Sequence, residues 1–247
     1  MPAPRHLRNA PITEAIFDFR VKARAGFRGE EFAPLRSELA NRFPKMEDRR
    51  APQTTFAVVE GKSQPPVVQD LGMQGYFFKS ADEKTIAQFR VDGFTFNQLY
   101  PYTSWQDLFP SVMELWRLYS ATARPEVILR LAVRYINRIP FPPGPVNLET
   151  YLRTAPVIPP ELPQHLSSFL TRVTIHDPDV NIAAHVAQAL EAATSGQPAV
   201  IFDIDAFKQG EFVTDDPAIE ETFNRLRDFK NLIFFNSLTE ETLRQFE

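Results

Sequence analysis

The sequence predicts an α+β fold, an antiparallel sheet packed by two long helices. Three observations carry this. Two segments, Ala10 to Ala23 and Val127 to Ile139, alternate side chains with a period of two, as a strand with one buried face does. Two others, opening at Ser104 and at Asp216, repeat apolar residues at three- and four-residue spacing behind a capping residue. Strands and helices also follow one another in the same order in both halves of the chain.

In the first strand Ala15, Phe17, Phe19, Val21 and Ala23 face one way and Glu14, Ile16, Asp18, Arg20 and Lys22 the other. Phe32, Leu35, Leu39 and Phe43 then recur at helical spacing until Pro44, with Pro34 acceptable only in a first turn. Thr54 to Glu60 reads as a short strand. Gly75 to Ser80 and Thr85 to Val91 read as a hairpin turning through Ala81 to Lys84, and Asp92-Gly93 separates it from an extended Phe94 to Asn97. Ser104 and Asp107 have capping-box spacing, and Leu108, Val112, Leu115, Trp116 and Tyr119 form one helical face. Pro110 lies within this helix and predicts a kink, or a start nearer Pro110.

The second half opens on the other alternating strand. Phe141 to Pro145 and Pro156 to Pro163 are proline-rich crossings, with a short helix over Leu148 to Thr154 between them. Leu166 to His176 is a strand and Asp177-Pro-Asp179 a turn. Val180 to Ala192 suits strand or helix, and the turns flanking it favour a strand. Ala199 to Phe207 is a strand after a Ser195-Gly196-Gln197 turn. Asp216 caps a helix with Pro217 at its first position and Ile219, Phe223, Leu226 and Phe229 as its buried stripe. A short helix starts at Thr239. The whole is expected to be one pseudo-symmetric unit over 1–247, a tandem β-α-β-β-β-α duplication with halves 9–123 and 124–247.

The 247 residues include 22 Phe, ample for a large core. The net charge of −4 argues against bulk electrostatic attraction to nucleic acid, so such binding would need a local basic patch. The chain has no cysteine, which excludes disulfides, thiolate metal sites and a cysteine nucleophile. Without an apolar leader or membrane-length apolar run, a cytoplasmic protein is expected.

The segment Val127 to Ile139 carries the main functional candidate. One side of the strand holds Val127, Leu129, Leu131, Val133, Tyr135, Asn137 and Ile139. The other holds Ile128, Ala132 and Ile136 with Arg130, Arg134 and Arg138, the arginines about 13 Å apart at about 3.3 Å per residue. Two readings compete. The arginines grip an anion, a nucleic-acid backbone or an acidic partner. Alternatively they pair with acids on neighbouring strands, with Glu14, Asp18, Asp203 and Asp205 as candidates. Asp203 and Asp205, on one face of a strand, are also weak candidates for a divalent metal in phosphoryl transfer, without the phosphate cradle or third ligand such an enzyme needs. The four histidines have no ligand spacing, and His176 and His185 would not sit opposite each other. No GxSxG elbow is present. Tyr100, Tyr102 and Trp105 suit base stacking in a groove or packing on the following helix. Phe234, Phe235 and Leu238 either fold back on the core or meet a second subunit.

Asn9-Ala-Pro-Ile-Thr-Glu-Ala-Ile16, Phe94-Thr-Phe-Asn-Gln-Leu-Tyr100 with Trp105, Arg134-Tyr-Ile-Asn-Arg138 and a closing Phe-rich helix together resemble a sporadically distributed bacterial family of uncharacterised proteins of about 250 residues. The resemblance spans nearly the whole chain and implies no activity, cofactor or catalytic residue. A sporadic distribution implies an association with genome defence or toxin–antitoxin genes. The expected function is therefore a non-enzymatic binding or adaptor protein, a homodimer. It would contact a protein or anionic ligand through Arg130, Arg134, Arg138, Tyr135, Asn137, Tyr100 and Trp105, with no cofactor and no membrane. Nucleic-acid binding is the first alternative and metal-dependent phosphoryl transfer at Asp203 and Asp205 the second.

Overall fold

The two segments with the clearest alternation lie side by side at the middle of one sheet. The computed structural model describes residues 7–55, 58–59, 62–63, 67–142, 147–164, 166–191 and 197–247, with backbone alone for the described part of 51–71. Within these the chain runs β1 (Ile12–Lys22), a 3₁₀ turn (Gly29–Phe32), α1 (Leu35–Leu39), β2 (Lys45–Thr55), β3 (Val58–Val59), β4 (Lys62–Ser63), β5 (Val67–Lys79), β6 (Thr85–Arg90), β7 (Gly93–Leu99) and α2 (Trp105–Ala123). It continues with β8 (Val127–Pro140), a second 3₁₀ turn (Leu148–Thr150), β9 (Leu170–Asp177), β10 (Ile182–Glu191), β11 (Ala199–Phe212), α3 (Ala218–Ser237) and α4 (Glu240–Arg244). The main sheet is antiparallel, in the order β2-β5-β6-β7-β1-β8-β11-β10-β9, and β3 and β4 pair separately.

From the β1–β8 pair outward the halves share a topology. Each has a central strand, a short helical passage, a meander whose last strand returns beside the central one, and a long helix. The first half has an extra meander strand. Shared topology alone is no demonstration of duplication.

Both long helices cover the apolar face of β1. Phe19 stacks on Trp116 of α2 with ring centroids 4.2 Å apart, and Phe223 of α3 meets Phe19 at 4.8 Å and Phe17 at 6.2 Å. The caps form as the sequence predicts. Ser104 Oγ accepts the Asp107 N–H at 3.1 Å, Asp216 accepts the Ala218 N–H at 2.8 Å, and Thr239 Oγ1 accepts the Thr242 N–H at 3.3 Å. α2 starts at Trp105 and carries Pro110 inside it. Gly93, at φ 155°, lies so close to the Phe19 carbonyl that no side chain fits there.

Several expectations change. The helical spacing from Phe32 to Phe43 yields a 3₁₀ turn and the five-residue α1, divided at Pro34, which has no N–H to give a continuous helix. The strand placed at Thr54 to Glu60 instead starts at Lys45 and reaches Thr55, with β3 beyond it. The short helix over Leu148 to Thr154 is a single 3₁₀ turn. Finally, the alternation of β8 breaks near its start. Its pairings with β1 and with β11 both shift register there, so Ile128 turns under the helices beside buried Val21 while Leu129 is 42% exposed. Leu166 to His176 proves to be strand only from Leu170, and within Val180 to Ala192 the strand β10 runs from Ile182 to Glu191. Part of the Phe141–Pro145 crossing, the Ser195-Gly196 turn, His6 and His165 lie outside the described residues.

Phe223→Ala should cost about 3–5 kcal/mol, because its ring fills the junction of both long helices with β1. Chemical denaturation measures this, and a loss below about 1 kcal/mol would show that the helices do not depend on this contact.

Candidate binding face of the sheet

The opposite face of the sheet carries the charges, and the register brings them together. β11 runs beside β8 with Asp205 opposite Arg134 and Asp203 opposite Ile136. Each arginine leans along its strand to an acid beyond its direct neighbour. Arg130 Nη2 donates to both oxygens of Asp205, at 2.8 and 2.7 Å, and its guanidinium lies 4.7 Å from the centre of the Phe207 ring. Arg134 grips Asp203 through Nε at 2.8 Å and Nη2 at 2.6 Å. Arg138 donates to Glu191 at 2.6 Å and to the Gln197 carbonyl at 2.8 Å. The hydrogen bonds from Arg134 to Asp203, opposed by partial burial, hold the Arg134 pKa above its ordinary value.

Asp18 of β1 is the hub on the other side. Its Oδ1 accepts from Arg90 Nη2 at 3.1 Å and from Thr95 Oγ1 at 2.7 Å. Its Oδ2 accepts from Arg20 Nε at 3.1 Å and lies 3.5 Å from Arg130 Nη1. Arg20 also bonds Asp92 at 2.9 Å. Burial works against charge on Arg20, but Asp18 and Asp92 outweigh it and raise its pKa. Arg90 Nε lies 3.3 Å from Asp92 Oδ1 without the alignment of a hydrogen bond. Four arginines (20, 90, 130, 134) thus meet four acids (18, 92, 203, 205), and the formal charges cancel. Of the two sequence readings, pairing with acids on neighbouring strands describes the arginines.

The seven predicted ligand residues do not form one site. Arg130, Arg134 and Arg138 share the charged face, with Arg134 and Arg138 partly open to solvent. Tyr135 and Asn137 are buried under the helices on the other face, because residues an odd number apart on a strand point oppositely. Trp105 is buried there too, stacked on Phe109 at 4.7 Å and 5.1 Å from Phe17. It is a packing residue and does not stand beside the arginines. Tyr100 is 68% exposed in the loop before α2, where its N–H donates to the Thr13 carbonyl. Asp203 and Asp205 are held by arginines, and no group of three metal-ligating side chains occurs among the described residues. Phe234 and Leu238 fold back into the core.

Sequence reading passed over Lys230. It is buried on α3, with its ammonium 3.7 Å from the centre of the Tyr135 ring, and Tyr135 shares a hydroxyl hydrogen bond of 3.0 Å with Tyr102. Burial, followed by repulsion from Arg227, lowers the Lys230 pKa to about 7. The available signal was its place, four residues after Leu226 and four before Phe234, in the buried phase of the helix.

Two predictions follow from this geometry. Asp18→Ala leaves buried Arg90 without its carboxylate and should cost about 3–5 kcal/mol, whereas Arg134→Ala, at a half-open pair, should cost about 1 kcal/mol. Urea titrations returning equal losses would refute the hub role of Asp18. For Lys230, between about pH 7 and its unfolded value near 10.5 the unfolded chain binds more protons than the folded one, so stability rises with pH across that window. Lys230→Met should flatten this rise and raise stability at pH 7, as denaturant midpoints at pH 7 and 10 would show.

No family model, curated protein or solved structure matches this chain, so the resemblance noted above rests on its sequence motifs alone.

Proposed function

We propose that the protein is a non-enzymatic binding or adaptor protein, acting as a homodimer in the cytoplasm, that contacts a protein partner through the arginine-bearing face of the sheet. The observation that carries this reading is the charged lattice itself. It lies on the face away from α2 and α3, and bidentate pairs hold its side chains in place. Ordered side chains lose less entropy on docking than free ones.

The partner class follows from the pairing. A phosphate or nucleic-acid backbone would have to displace a carboxylate already bound in two places, and a neutral patch offers little long-range attraction. Metal chemistry at Asp203 and Asp205 would likewise require opening both arginine pairs. A protein surface with its own acids and bases can match the alternation of sign and exchange hydrogen bonds without leaving a charge unpaired. No helix of the described residues is long and apolar enough to cross a membrane.

Co-purification with Arg134→Ala, Arg138→Ala should lose the partners that the unaltered protein retains, while Lys45→Ala, on the edge strand β2, keeps them. A folded double variant that holds every partner would overturn the reading. Binding to random duplex DNA that weakens steeply between 50 and 200 mM salt would favour nucleic acid instead.

A further inference from the structure

The two edges of the sheet are built differently. At one edge β2 shifts register at Arg49/Arg50 and again at Arg50/Pro52, and it carries Lys45, Glu47, Asp48, Arg49 and Arg50 as well as a proline with no N–H to offer. Bulges, charges and proline are the devices that keep an edge from pairing with another chain. At the other edge β9 has a neighbour, β10, on one side only among the described residues. It pairs with β10 in unbroken register over eight residues, Leu170 to Asp177, with no glycine, proline or lysine. Val173 and Ile175 stand opposite Val186 and Ala184, which are buried under the helices. They continue the core row to the end of the sheet, yet they are 53% and 39% exposed.

We infer that β9 is the surface on which a second copy of this chain docks, with the two β9 strands antiparallel about a two-fold axis at Thr174. The inference rests on the homodimer reading above and names its interface. Antiparallel partners point to the same face, so an axis normal to the sheet must pass through a residue. Centred on Thr174, each Val173 meets the partner's Ile175, and all four uncovered β-branched side chains pair on the helix side. Centred on Val173, Ile175 would face the partner's Thr171. Centred on Ile175, Val173 would face the partner's Asp177. On the opposite face this centre sets each Arg172 beside the partner's His176, so the apolar row and not the charge pattern selects the register. Because β2 is guarded, the assembly closes at two copies and does not grow into a filament.

The absence of cysteine makes the test clean. Opposed Cα atoms in an antiparallel pair lie about 4.5–5.5 Å apart, within disulfide reach. Light scattering on the full chain should give a dimer. Thr174→Cys should give a disulfide-linked dimer under mild oxidation, and Glu47→Cys, at the guarded edge, should not. Val173→Lys, Ile175→Lys should weaken self-association about a hundredfold, with circular dichroism confirming the fold. A dimer that Thr174→Cys does not cross-link and that the double lysine variant leaves intact overturns β9 as the interface while the homodimer stands. A protein monomeric at every concentration overturns both. Cross-linking at both positions would place the contact elsewhere than β9 alone and also overturns the inference.

Discussion

Asp18 joins groups from four strands, Arg90 of β6, Thr95 of β7, Arg20 of its own β1 and Arg130 of β8. A carboxylate so buried is stable only if charged donors replace the water it has lost. Its neighbours Phe17 and Phe19 point the other way, into the aromatic layer under α2 and α3. One strand therefore fixes both sides of the sheet. A slip of one residue between β1 and either neighbour would drive the carboxylate into the phenylalanines and the rings into water.

The same constraint shapes the charged face. Acids and arginines meet across neighbouring strands as pairs, so the face is neutral in sum and patterned in detail. Such a surface offers little long-range steering and much local specificity, since a mismatched partner leaves a desolvated charge without a mate. Arg130 shows the economy of the arrangement. Its guanidinium covers Phe207, bonds Asp205 and approaches Asp18, joining the β1 hub to the β11 ladder.

Much of this architecture was legible in the chain. The central strands declared themselves by alternation, and Ser104, Asp216 and Thr239 marked the helix starts they cap. β2 was not legible, because Lys45-Met-Glu-Asp-Arg-Arg50 has the composition of a loop; on an edge strand those charges are what solvent exposure permits. The break at Ile128 and Leu129 was hidden as well, since a bulge is imposed by strands distant in sequence. Among the site residues, the arginine spacing and the candidate acids Asp18, Asp203 and Asp205 were readable. The grouping of Tyr135, Asn137 and Trp105 with the arginines was not sound, because side chains on one strand were joined across its two faces.

By itself the sequence determined where the central strands and the two long helices lie, which face of each central strand is apolar, and that three arginines share the other face. These are local properties, set by the period of the backbone and the chemistry of adjacent side chains. Only the tertiary structure decided that Arg134 meets Asp203, that Asp18 gathers three guanidiniums, that Lys230 sits over Tyr135, and that β2 and β9 are the edges. Those outcomes depend on the register and order of strands tens of residues apart, which close packing of the whole core selects and no short window of sequence contains.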